Sequence, residues 1–165
     1  MKNVVLVGFM GTGKTTVGAA LAKALGVEQV DLDAYIVAQE GCSIPVLFAE
    51  RGEACFREVE SKYLAELLAT GPHILTTGGG VVLRPQNVQA MMEKSTVVAL
   101  SASEEELVRR LENDTGRPLL AGGVAERVRT LLAERAGAYD FAPIQIDTTD
   151  KDLAELVEEI IRQLG

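Results

Sequence analysis

The chain has 165 residues, 47% hydrophobic and 24% charged, enough for one domain with a sizeable core and too few for two ordinary ones. A formal net charge of −8 argues against broad binding to nucleic acid or an anionic membrane, which needs a basic face, but not against a small anion gathered by a few converging arginines. No segment approaches the roughly 20 apolar residues of a membrane span, and the apolar run after Met1-Lys2-Asn3 is too short for a signal peptide, so a cytoplasmic protein is expected.

Residues 4–7 (Val-Val-Leu-Val) form a continuous apolar run, the pattern of a parallel strand covered on both faces. Residues 15–25 place Val17, Ala20, Leu21, Ala24 and Leu25 at helical spacing, and Gly26 stops the helix. A short second strand over 28–31 ends in acid. Helices are expected over 34–39, 44–51 and 53–69, punctuated by Gly41 and Gly52. The third strand, 74–77, runs directly into Gly78-Gly79-Gly80, and Pro85 opens a helix reaching Lys94. Residues 96–101 are the clearest apolar strand. Ser103 caps the helix after it, with Glu106 at the capping-box position. The polar, glycine-rich segment 113–123 reads as a mobile lid that closes over nucleotide and excludes water. A helix over 124–136, a strand over 143–147 and a helix over 151–164 complete the chain. Strands alternating with helices predict a single α/β domain over 1–165, its parallel sheet covered by helices on both faces.

Cys42 and Cys55 lack metal-ligand spacing and read as reduced thiols. The one histidine, His73, follows Gly71-Pro72 and is expected in a turn at a strand entrance, so any general base must come from elsewhere.

Gly8-Phe9-Met10-Gly11-Thr12-Gly13-Lys14-Thr15 matches G-x-x-x-x-G-K-[ST] between a strand and a helix. Its glycines let backbone N–H groups of Gly11, Thr12, Gly13, Lys14, Thr15 and Thr16 curl around phosphate oxygens, with the helix dipole behind them. Lys14 reaches the β- and γ-phosphates, and the Thr15 hydroxyl is a ligand for Mg²⁺. No Asn/Thr-Lys-x-Asp guanine-reading motif occurs, which favours ATP.

Four further features bear on the phosphoryl acceptor. Asp31-Leu32-Asp33 ends the second strand on the ligand-binding edge of the sheet. In an extended segment the two carboxylates share one side, one for hydrated magnesium and one to orient an acceptor hydroxyl. The alternative for the pair is a solvated turn with a helix cap. Arg57 and Glu60 share a helix face, as a fork for a substrate carboxylate or an ordinary surface pair. Three successive glycines at 78–80 exceed what a turn requires and suggest close backbone approach to a ligand. Arg117, in the lid, is placed either as a cis-acting arginine finger or as a solvated loop residue.

Taken together, the sequence resembles the shikimate kinase family along essentially its whole length. The resemblance rests on Asp31-Leu32-Asp33, on Ser43-Ile44-Pro45 and Phe48-Ala49-Glu50-Arg51-Gly52-Glu53, on Phe56-Arg57-Glu58-Val59-Glu60, on Thr77-Gly78-Gly79-Gly80-Val81-Val82, on Arg117-Pro118-Leu119-Leu120 and on Arg135. It implies a three-layer P-loop fold of the nucleoside monophosphate kinase kind, with five parallel strands in the order 2-3-1-4-5. It also implies transfer of the ATP γ-phosphoryl to the 3-hydroxyl of shikimate, in a monomer. By this resemblance Asp33 holds and deprotonates the reacting hydroxyl, Asp31 joins the second shell of one Mg²⁺, and Lys14 and Arg117 act on the phosphates. Arg57, Arg135 and Gly78, Gly79 and Gly80 surround shikimate, within a substrate-binding helical region at about 33–61, while Arg110 lies on the adenine side. Ala136-Gly137-Ala138-Tyr139 departs from the family's x-Pro-Leu-Tyr and predicts a less rigid Arg135. A gluconate-type kinase, an adenylate kinase-like enzyme and a non-catalytic nucleotide-binding module are the competing readings.

Overall fold

Strand β1 (Asn3–Gly8) is buried along its whole length because its two faces serve two different cores. Val5 and Val7 point into one, and Val4 and Leu6 into the other. This double burial is why the run shows no alternation of polar and apolar residues. In the computed structural model, which describes residues 2–112 and 123–165, β1 is the middle of a five-stranded sheet. The others are β2 (Glu28–Asp31), β3 (His73–Thr76), β4 (Ser95–Ser101) and β5 (Ile144–Asp147). The order is β2-β3-β1-β4-β5, with every pairing parallel; Val4 sits opposite Ile74 on one side and Thr96 on the other.

The helices sort onto the two faces by their apolar stripes. Helices α2 (Leu32–Glu40), α3 (Ile44–Leu68) and α4 (Pro85–Lys94) pack on the Val5–Val7 face through Leu32, Ile36, Leu64 and Met91. Helix α1 (Lys14–Leu25) and α7 (Leu153–Leu164) cover the other face through Val17, Leu21, Leu156 and Ile160. Helices α5 (Glu104–Glu112) and α6 (Val124–Glu134) close a smaller cluster with Phe9. The three-layer fold and its strand order are those the resemblance implied.

Helix α1 lies so close to the sheet that Gly18 has no room for a side chain. A Cβ there would sit 2.6 Å from Thr76 Cγ2 and 2.8 Å from Gln29 Nε2. Alanine in a helix interior ordinarily stabilises by up to about 1 kcal/mol over glycine. At this position overpacking dominates, so Gly18→Ala is expected to lose about 1–2 kcal/mol, read as a lower midpoint in urea. A midpoint at or above that of the parent would show that α1 can withdraw from β3.

Several boundaries differ from expectation, each for a local reason. Helix α2 begins at Leu32 because Asp31 is its N-cap, its carboxylate accepting from Ala34 N at 3.0 Å. Asp33 is therefore in the first helical turn, and the Asp31–Asp33 pair spans a strand–helix junction rather than an extended segment. The two helices expected on either side of Gly52 form α3, with Gly52 at φ 81°, ψ 167° breaking the helical path between them. After β3, the run Val81–Leu83 forms a 3₁₀ turn that no sequence pattern marked. Helix α6 stops at Glu134 and leaves Arg135 as its C-cap.

The capping box at Ser103 is only half made. Ser103 Oγ accepts from Glu106 N at 3.2 Å, but the Glu106 carboxylate turns to Arg109 and Arg110, and Ser103 N donates to Thr149 Oγ1. His73, expected in a turn, is the first residue of β3 and only 6% exposed. Its backbone N–H donates to Asn3 Oδ1 at 2.9 Å, and burial lowers its pKa from the ordinary 6.5. It lies at the amino end of the sheet. Cys42 and Cys55 are unpaired thiols, each half-buried.

Candidate active site

A cleft of about 570 Å³ opens beyond the carboxyl ends of β1, β2 and β3, where ligands of open parallel sheets bind. The β1–α1 loop forms its floor through Gly11, Gly13, Lys14, Thr15 and Thr16. Gly11 (φ 83°) and Gly13 (φ 96°) adopt left-handed backbone that side chains disfavour, and Gly13 caps α1 without any side-chain bond. The first amides of α1 thus face the cleft with the positive end of the helix dipole behind them, a ready anion site. Lys14 Nζ donates to the carbonyls of Gly8 and Phe9 at 2.7 and 2.9 Å, which holds its ammonium across the loop. The Thr12 side chain is buried outside the cleft lining and donates to Phe9 O at 2.8 Å, and its backbone N–H bonds the same carbonyl at 3.4 Å.

The triple glycine has a reason that sequence alone did not supply: each of the three makes room for a different charged side chain. A Cβ on Gly78 would meet Asp33 Oδ2 at 3.2 Å. On Gly79 it would lie 2.5 Å from Arg135 Nη1, and on Gly80 it would lie 2.6 Å from both Arg57 Nη1 and Nη2. One carboxylate and two guanidiniums therefore converge along a single bare stretch of backbone. Asp33, Gly78, Gly79 and Arg135 line the cleft; Arg57 and Gly80 stand immediately behind its edge.

Each arginine lies against an aromatic ring. Arg57 Nη1 donates to Glu60 Oε1 at 3.0 Å, and its guanidinium lies 5.4 Å from the Phe56 ring centroid. Glu60 is 1% exposed, and its burial raises its pKa above the ordinary value despite the pull of Arg57. Arg135 sits 5.9 Å over the Phe9 ring, and its Nη1 is buried without a hydrogen-bond partner among the described residues. An orphaned buried guanidinium donor facing a cleft calls for an acceptor from a ligand or water. The Ala136-Gly137-Ala138 departure is absorbed by a tight turn. Gly137 takes φ 79°, Ala138 N bonds Arg135 O at 3.0 Å, and Tyr139 OH reaches Gly79 O at 3.0 Å.

Asp33 is half-buried, and its pKa is raised, first by burial and then by the nearby Asp31 charge, while Arg57 and Lys14 pull it down. Asp31 is a helix cap, as one of the two readings of the pair had it, and it also accepts from Thr76 Oγ1 at 2.8 Å. Arg110 lines the cleft but spends its donors on the protein. Its Nη1 binds Gly11 O at 2.9 Å and Thr148 Oγ1 at 3.2 Å, and its Nε binds Glu106 at 2.9 Å. It bolts the phosphate loop to the end of β5. Arg117 and nearly all of the expected lid (113–122) lie outside the described residues.

Three contributors escaped the sequence reading. Gln29 Nε2 holds the Thr15 carbonyl at 3.0 Å; Thr76 holds Asp31; Tyr139 braces Gly79. Of these, only Tyr139 carried a signal, as the retained tyrosine of the Arg135 motif.

The family model described as "Shikimate kinase" matches residues 10–165. The chain belongs to the shikimate kinase family. A shikimate kinase of Pelotomaculum thermopropionicum is 42% identical over 165 residues, covering 99% of this chain and 96% of that protein. Among solved structures, the shikimate kinase of Acinetobacter baumannii in complex with shikimate superposes with a TM-score of 0.90 at 35% identity, covering 99% of this chain and 93% of that one. A gluconokinase from Sinorhizobium meliloti covers 99% of this chain and 91% of its own, at 21% identity and a TM-score of 0.61, a likeness of fold alone.

Proposed function

We propose that this protein transfers the γ-phosphoryl group of ATP to the 3-hydroxyl of shikimate, giving shikimate 3-phosphate and ADP on the route to chorismate and the aromatic amino acids. The observation that carries the proposal is the convergence of Asp33, Arg135 and Arg57 on Gly78, Gly79 and Gly80, with Asp33, Gly78, Gly79 and Arg135 lining the same cleft as the phosphate-binding loop. A small anionic polyol matches that arrangement, with its carboxylate on the arginines and a hydroxyl on the aspartate.

In this reading the amides of residues 11–16 and the Lys14 ammonium hold the ATP phosphates, with Arg110 beside the adenine end and Arg117 on the transferring group. Arg57 and Arg135 grip the shikimate carboxylate bidentately or in pairs. Asp33 orients the acceptor hydroxyl and takes its proton as the new O–P bond forms. Deprotonation ahead of attack is excluded by acidity, since a free alcohol is far too weak an acid for a carboxylate.

The residues fit one Mg²⁺. Among the described residues no three His, Cys, Asp or Glu side chains gather to hold a metal. A magnesium ion needs no such cage: it keeps several waters and takes one or two protein oxygens with the phosphates. Thr15 supplies a hydroxyl. Asp31, with two of its roughly four acceptor positions used by Ala34 and Thr76, retains capacity for a bound water. When bound, the ion neutralises charge on the phosphates.

The reading is tested by ADP release from MgATP with shikimate, quinate, gluconate, AMP or no acceptor. Strong stimulation by shikimate alone is expected. Release indifferent to shikimate would overturn the assignment of acceptor while leaving the nucleotide site in place.

A further inference from the structure

Arg84 has no place in the site as described so far, yet its side chain returns to the helix that carries Arg57. Arg84 Nη1 donates to the Arg57 carbonyl at 3.3 Å and to Ser61 Oγ at 3.2 Å, while Nη2 pairs with Glu58 Oε1 at 2.8 Å. Gly80, four residues earlier, lies against the Arg57 guanidinium. One short segment therefore touches Arg57 at both ends, Gly80 at the tip of its side chain and Arg84 at its backbone.

That segment is stiff. Val81 N bonds Gly78 O at 3.3 Å, Leu83 N bonds Gly80 O at 3.1 Å, and Asn87 N bonds Arg84 O at 3.0 Å. The buried Asn87 side chain adds a bond to Val81 O at 3.0 Å. The 3₁₀ turn thus sets the spacing between Gly80 and Arg84, and with it the position of the Arg57 fork relative to Gly79 and Arg135.

We infer that Arg84 is a positioning residue for substrate binding: by bonding the Arg57 carbonyl it locks α3 to the triglycine segment and holds Arg57 where the substrate carboxylate meets it. The inference rests on Arg57 binding that carboxylate. Glu58 is secondary, because its side chain is 73% exposed and an exposed ion pair contributes little.

A double-mutant cycle separates positioning from a general structural or through-space effect. Arg84→Ala is expected to raise the KM for shikimate about tenfold, the loss of two ordinary hydrogen bonds, with kcat and the KM for ATP changed by less than about twofold. In an Arg57→Ala background the same change should move the KM for shikimate by less than about twofold, because there is no fork left to position. Glu58→Gln should leave both KM values at parental levels. A full tenfold effect of Arg84→Ala without Arg57, an equal effect on ATP, or its reproduction by Glu58→Gln would each overturn the inference. If Arg57→Ala alone left the KM for shikimate unchanged, the carboxylate reading itself would fail, which is a separate and recognisable outcome.

Discussion

Arg57→Ala is expected to raise the KM for shikimate by about one to two orders of magnitude, the equivalent of roughly 1.5–3 kcal/mol for a charge-assisted hydrogen bond. The KM for ATP should stay within about twofold, because Arg57 lies behind Gly80 and outside the phosphate loop. The size of the effect follows from how the guanidinium is held. Its side chain is 19% exposed, its Nη1 is committed to the almost fully buried Glu60, and the Phe56 ring limits its swing. A fork arranged in advance loses little freedom on binding, so its removal forfeits most of the bond. The same substitution strands Glu60, whose pKa is already raised by burial and is held down chiefly by Arg57. The variant should therefore carry a more strongly protonated Glu60 and a lower melting temperature, and an unchanged KM for ATP shows that it is folded in the assay. Steady-state kinetics varying one substrate at a time decides the matter. Equal increases in both KM values would remove Arg57 from the carboxylate site.

Most of the fold was legible because its strands and longer helices carried local signals, whereas the 3₁₀ turn at Val81–Leu83 carried none. The unbroken apolar stretch at 4–7 announced a strand buried on both faces, and Gly26, Gly41 and Gly52 marked helix ends with positive φ, as the structure has them. The phosphate loop was legible for the same reason: its chemistry is written in consecutive residues. What escaped was chemistry assembled across the sheet. Nothing near Gln29 in the sequence says that its amide reaches the Thr15 carbonyl, and nothing near Thr76 says that it ties Asp31. The triple glycine signals close backbone approach to a ligand, but the side chains it also accommodates come from positions 33, 57 and 135, which no local pattern links to it. The Asp31–Asp33 pair was placed on one side of an extended segment, whereas an N-cap and a first-turn residue bring both carboxylates to the cleft by a different route.

That junction governs the other large effect. Asp33→Asn keeps the shape of the side chain and its fit against Gly78 but removes the proton acceptor. We expect kcat to fall by about 10²- to 10⁴-fold, the usual range for a general base, with the KM for ATP little changed. Near-normal turnover would refute the role. The pH profile adds a test of cause. Asp33 must be ionised to accept a proton, and burial together with Asp31 raises its pKa above the ordinary 3.8. The acidic limb of kcat/KM for shikimate should therefore lie above that value, with activity present at higher pH and lost as pH falls through the raised pKa. In Asp31→Asn the neighbouring negative charge is gone, so the limb should move to lower pH whatever happens to the absolute rate. A limb that stays in place would count against Asp33 as the group that titrates in the profile.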